Sequence, residues 1–191
     1  VAIAMAVYSK KLNVKLITTI CGNLSVNEVT KNTLNFLNAI GKPNIPVAVG
    51  ENKPLEREKD DSIQAHGKKG LGKFKFPKLE LKPCKLPAVE KMHEVISKSK
   101  EKIIFVDVPL LYESGFDELC HYAICVYLNK EINVERLQER DHLNIDEIVS
   151  RINSQMDIEI KKQKAHFIID NSTDLCYTYK SIKKLMNERE M

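Results

Sequence analysis

Apolar residues fall along this chain in two kinds of pattern. Five runs are short and continuous: 14–20 (VKLITTI), 45–49 (IPVAV), 103–107 (IIFVD), 122–128 (YAICVYL) and 167–170 (FIID). They are rich in β-branched and aromatic residues, do not alternate, and are bounded by charge, glycine or proline. Such runs predict strands buried on both faces, as in a parallel sheet. Elsewhere apolar residues recur every three or four positions, which predicts helices over 2–11, 26–40, 88–100, 130–140, 145–156, 159–164 and 174–186. Ser25 and Glu28 form a capping box at the start of the second of these, and Gly41 with Pro43 stops it. Val29, Thr33, Phe36, Leu37 and Ile40 are its expected buried face. Val89, Met92, His93 and Ile96 share one stripe of the third, with His93 on its flank.

Strand, helix, strand in this order predicts an α/β fold, a largely parallel sheet with flanking helices, and a helical lid-like excursion in the C-terminal half. The run at 103–107 is the expected central strand. Asp107 would sit at its carboxyl end, where open α/β sheets place their ligands. Residues 50–87 are rich in Lys, Pro and Gly and have no period, so they read as a long functional or disordered loop. The chain opens at Val1 in mid-helix without a cap, which reads as a missing natural N-terminus.

Composition changes this picture little. The 191 residues carry a net charge of +4 spread over helix faces. A solvated surface explains this better than a nucleic-acid footprint, so no nucleic-acid partner is expected. Apolar stretches are strand-length and no signal peptide is visible, so neither a membrane association nor export is expected. Five cysteines without a Cys-x-x-Cys pair fit reduced thiols and a cytoplasmic location. Gly67, Gly70 and Gly72 beside Lys68 and Lys69 suggest backbone near a ligand, but no G-x-x-x-x-G-K-[ST] occurs. Arg136, Arg140 and Arg151 suit phosphate oxygens through their bidentate forks. On composition alone, exposed ion pairs on helices are the stronger reading of these arginines.

Residues 1–102 resemble the inosine-uridine-type nucleoside hydrolases. The likeness is carried by ITTICGN, the Asn-Ile-Pro-Val-x-x-Gly segment, His-Gly-x-x-Gly-Leu-Gly and the Pro-Ala-Val-Glu helix. The resemblance implies Ca²⁺-dependent hydrolysis of ribonucleosides. Asn23 would lie near metal and ribose, and His66 on a loop closing over the substrate. The Asp-rich signature of that family is absent here, and Asp60-Asp61 reads as a solvated pair, so no metal-ligating residue is assigned.

Residues 103–191 resemble dephospho-coenzyme A kinase. The likeness is carried by Pro-Leu-Leu-Tyr-Glu at 109–113, Arg-Ile-Asn-Ser-Gln-Met at 151–156 and Ile-Asp-Asn-Ser at 169–172. The resemblance implies Mg-ATP as phosphoryl donor in coenzyme A biosynthesis. It places Arg140, Arg151 and Gln155 in a lid over the phosphates, Asp107 to Glu113 on the acceptor side and Asn171 near the adenine. His166 stands where an acidic residue is usual, and the P-loop of the family is missing.

The expected reading is a chain of two partial segments, 1–102 and 103–191, meeting near Ile103. Three functions follow: an inactive dephospho-CoA kinase fragment fused to a hydrolase fragment, a Ca²⁺-dependent ribonucleoside N-glycosidase, or a non-catalytic nucleotide-binding remnant. The partner in each is a small nucleoside, nucleotide or CoA precursor.

Overall fold

Two parallel pairs of strands carry the fold, one in each of two units, Val1–Lys102 and Ile103–Met191. The structure is a computed structural model that describes residues 2–22, 24–53, 76–77, 81–141 and 143–188.

The first unit runs α1 (Ala2–Tyr8), β1 (Ile17–Thr19), α2 (Val26–Ala39), β2 (Val47–Val49) and α3 (Ala88–Lys98). β1 pairs with β2 in parallel, Ile17 opposite Val47 and Thr19 opposite Val49. Parallel neighbours need a crossover, and α2 supplies it. The Ser25 hydroxyl accepts the Glu28 N–H at the head of α2, and Gly41 leaves its tail at φ +72°. The proline at 46 lies just before β2, where its missing N–H costs nothing, and its carbonyl accepts the Ile17 N–H. Leu34, Leu37 and Val47 are the buried core, with Ile3, Ile17, Ile40, Ile45 and Leu81 packed on it.

The buried face of α2 differs from the expected one. Val26, Thr30, Leu34, Asn35 and Leu37 are buried, while Val29, Thr33 and Phe36 are half-buried. The stripe turns because Thr30 is a satisfied core residue. Its hydroxyl donates to Val26 O at 2.7 Å and lies 2.7 Å from the Thr19 hydroxyl of β1. A threonine with both roles filled buries without penalty, which apolar counting cannot register. On α3 the expected stripe is also displaced: Val89 and His93 are exposed, and Lys91 and Val95 are half-buried instead.

The second unit contains a 3₁₀ turn (Phe116–Leu119), β3 (Ile124–Tyr127), α4 (Lys130–Asp141), α5 (Ile145–Asn153), α6 (Ile158–Lys164), β4 (Phe167–Asp170) and α7 (Leu175–Glu188). β3 and β4 are parallel, from Ile124 opposite Phe167 to Tyr127 opposite Asp170. Three helices separate these strands. α6 packs on β3, α7 on β4, and α4 on α5. Ala123, Cys125, Ile148, Ile169 and Leu185 are buried.

One expected strand is not formed. Residues 103–107 lie outside both ladders. Ile103, Ile104, Phe105 and Val106 are exposed, Phe105 by 56%. An apolar run states only that burial is favourable. A strand also needs a hydrogen-bonding neighbour, and that is set by distant chain. All five cysteines are free. Among the described residues no helix is long and apolar enough to cross a membrane.

Candidate functional site

The carboxyl ends of β3 and β4 are tied together by a short network. Asn171 N–H donates to Tyr127 O, and Asn129 N–H donates to the Ser172 hydroxyl at 3.0 Å. The Asn129 side chain accepts the Glu131 N–H at 2.9 Å and so opens α4. The Ser172 backbone N–H and then its side chain hold the Asp170 carboxyl below its usual range. From α4, Arg136 reaches back and donates to Asn171 O at 2.9 Å and Thr173 O at 3.2 Å. Arg136 is therefore committed to the turn after β4. The Asn171 side chain accepts the Thr178 hydroxyl at 3.1 Å.

Two expected phosphate ligands meet at the far end of α4. Arg140 donates through Nε and Nη2 to the two carboxylate oxygens of Asp141, at 2.7 and 2.8 Å. Arg151 on α5 lies 3.6 Å from the same carboxylate. α5 is held in place by a full capping box between Asn144 and Glu147 and by Ile148, which is fully buried. Two guanidinium groups thus share one anion. Both are more than half exposed. Gln155 follows in the turn after α5, its side chain exposed and its N–H bonded to Ile152 O.

Glu113 lies in a third place. Its Oε1 accepts Lys161 of α6 at 2.6 Å and the Met156 N–H at 3.0 Å. Burial pushes this carboxyl up, but Lys161 and the backbone N–H donors outweigh burial and hold it below the usual range. Beside it the Tyr112 hydroxyl is buried with no hydrogen-bond partner among the described residues. Burial, with Cys125 and Asp117 nearby, raises its pKa, and Lys164 stands 4.9 Å from its ring. On the same helix, Glu159 accepts the Tyr127 hydroxyl at 2.7 Å, which pushes Tyr127 up to about 12.

The structure therefore brings Arg140 and Arg151 together and anchors Glu113 and Asn171 through their own partners. Asp107 is exposed and outside the ladders. Asn23 and His66 lie outside the described residues, as do Asp60-Asp61 and the glycine-rich run 67–72. In place of the acidic residue expected at 166, His166 Nδ1 accepts the Ala123 N–H at 3.1 Å, so it serves the edge of the β3–β4 pair. Sequence reasoning missed Asp141 and Lys161. The only signal for the first is an Arg-Asp dipeptide at a helix end, and for the second a basic run. Among the described residues no three His, Cys, Asp or Glu side chains converge as a metal site.

Comparison with known proteins finds two families. The model of the inosine-uridine preferring nucleoside hydrolases matches residues 1–110, and that of dephospho-CoA kinase matches residues 76–176. The two overlap over 76–110. The dephospho-CoA kinase of Listeria innocua is 44% identical over 82 residues, 43% of this chain and 41% of that protein. That of Bacillus licheniformis is 35% identical over 114 residues, 58% of this chain and 57% of that protein. The non-specific ribonucleoside hydrolase RihC of Escherichia coli O139:H28 is 32% identical over 108 residues, 56% of this chain and 35% of that protein. The chain thus spans about half or less of the curated relatives it matches. The crystal structure of TT1252 from Thermus thermophilus superposes with a TM-score of 0.46 and 26% identity, over 52% of each chain. With two family models each matching more than half of its length, the chain belongs to the inosine-uridine preferring nucleoside hydrolases through residues 1–110 and to the dephospho-CoA kinases through residues 76–176.

Proposed function

We propose that residues 103–191 are the lid and acceptor-side part of a dephospho-CoA kinase, joined to a nucleoside-hydrolase part at 1–102, and that the 191-residue chain alone has neither activity. The observation that carries this reading is the pairing of Arg140 and Arg151 on one carboxylate. Phosphoryl transfer from ATP to a ribose hydroxyl depends on positioning and on cations that spread charge over the phosphate oxygens. Two guanidinium groups held together on adjacent helices suit that task, and Arg presents its donors as a fork that matches phosphate. Asn171, just past the carboxyl end of β4, is the residue near the adenine, a reading supported by the likeness of the Ile-Asp-Asn-Ser block. Gln155 follows Arg151 by four residues in the sequence. Asp107 and Glu113 belong to the acceptor side, with Glu113 acting by fixing the start of α6.

The 191 residues contain no G-x-x-x-x-G-K-[ST] phosphate cradle. Exposed arginines in water hold a polyphosphate weakly, because exposed pairs contribute about 0–1 kcal/mol each. The test is incubation of the chain with ATP, Mg²⁺ and dephospho-CoA, followed by mass analysis for CoA. No CoA is expected. CoA formation that disappears in Arg140→Ala overturns the inactivity and shows that another segment cradles the donor. A Ca²⁺-dependent ribosidase resting on Asn23 and His66 is the second reading, supported by the family match over 1–110.

A further inference from the structure

We propose that Asp141 is an internal occupant of the arginine site: its carboxylate holds the place of a phosphoryl group in the free chain, and an incoming polyphosphate displaces it. The inference rests on the reading of Arg140 and Arg151 as phosphate ligands. Its basis is the geometry of the contact. Asp141 takes the Nε–Nη2 edge of Arg140 in two parallel bonds of 2.7 and 2.8 Å, the edge and the mode by which a guanidinium takes a phosphate. Neighbours in sequence do not face each other along a helix. Arg140 therefore folds back on the next residue only because α4 ends there.

Asp141 works against its helix. A carboxylate in the last turn opposes the macrodipole, and cations are favoured there. Its position gains instead from the two arginines. Arg151 approaches to 3.6 Å, too far for a hydrogen bond, so the second cation is drawn in by charge. The group of two guanidinium ions and one carboxylate keeps one net positive charge. Its arginines are outermost, at 71% and 52% exposure, and the carboxylate is the most covered member at 25%. A multiply charged phosphate chain meets the arginines first and competes for the same edge of Arg140.

The probe is inorganic tripolyphosphate, titrated into the full chain by calorimetry at low and at raised salt, with circular dichroism to verify folding. Wild type is expected to bind weakly. Asp141→Asn should bind up to about fivefold tighter, the factor that one exposed ion pair represents, and should lose more affinity when salt is added. Arg140→Ala should bind least. In the unsubstituted chain, the Arg140 Nε–H resonance should shift during the titration, a readout that needs no variant. Unchanged or weaker binding by Asp141→Asn, with binding still lost in Arg140→Ala, overturns the inference and leaves the kinase reading standing. Binding that is unaffected by Arg140→Ala, or absent in both wild type and Asp141→Asn, overturns the kinase reading and the inference together.

Discussion

Lys161 Nζ lies 2.6 Å from Glu113 Oε1, and both side chains are mostly covered. The same oxygen accepts the Met156 N–H. One carboxylate therefore joins the segment after Pro109 to the turn that starts α6.

Removing Lys161 leaves the Glu113 charge covered, with the Met156 N–H but without its counter-ion. Lys161→Met is expected to destabilise the second unit by about 1.5–3 kcal/mol, the range for hydrogen bonds to charged groups. Urea unfolding of the full chain, followed by tryptophan-free far-UV signals, measures it. Adding Glu113→Gln to Lys161→Met should restore part of the loss, since the unpaired charge is then gone. A double variant no more stable than the single one rules this account out.

The same pair sets a pH dependence. The folded-state pKa of Glu113 is below its ordinary value, so its contribution is complete above the unfolded carboxylate pKa near about 4.3. It declines as pH falls through the lower folded-state value. Wild type should lose stability on acidification across that window, and Glu113→Gln should show a shallower decline. Parallel curves for the two proteins would contradict the assignment.

Tyr112 carries a buried hydroxyl with no partner among the described residues. An unsatisfied buried group costs about 1–3 kcal/mol, so Tyr112→Phe should raise the stability of the second unit by about 1 kcal/mol. A thermal melt tests this. A lower melting temperature in Tyr112→Phe would mean that the hydroxyl has a partner in solution.

Gly50 closes the β1–β2 pair. Its N–H donates to Thr19 O at 2.7 Å, and a Cβ there would stand 2.6 Å from the same backbone oxygen. Neither atom belongs to a side chain that can turn away. Gly50→Ala should therefore destabilise the first unit by about 1–3 kcal/mol, as overpacking does. Hydrogen exchange at the β1 amides would locate the loss, and unchanged protection there would exclude a clash.

For the hydrolase part, inosine and uridine should yield no ribose when the chain is supplied with Ca²⁺. Asn23 and His66 alone do not make an oxygen cage for that ion. Release of ribose above the buffer rate, lost in His66→Ala, would establish the second reading instead.

Local chemistry made much of this protein legible in its sequence. Residues 167–170 form β4 at the bounds that its apolar run implies, and Ser25 caps α2 through Glu28 as the spacing requires. Such features depend on neighbours a few positions apart, and side-chain period or a single hydrogen bond decides them. Both family memberships were also readable, because their motifs are contiguous blocks. Partner choice across the chain was not. Thr30 of α2 became core because Thr19, on β1, lies within hydrogen-bond reach of its hydroxyl. The run 103–107 stayed outside both ladders because strand formation needs a second strand, whatever the run's own hydrophobicity. Arg140 meets Asp141 as its neighbour in the chain, but only the packing of α4 on α5 brought Arg151 to the same carboxylate. Salt screens exposed charges beyond about 10 Å, so for residues distant in sequence the folded distances decide which ions pair.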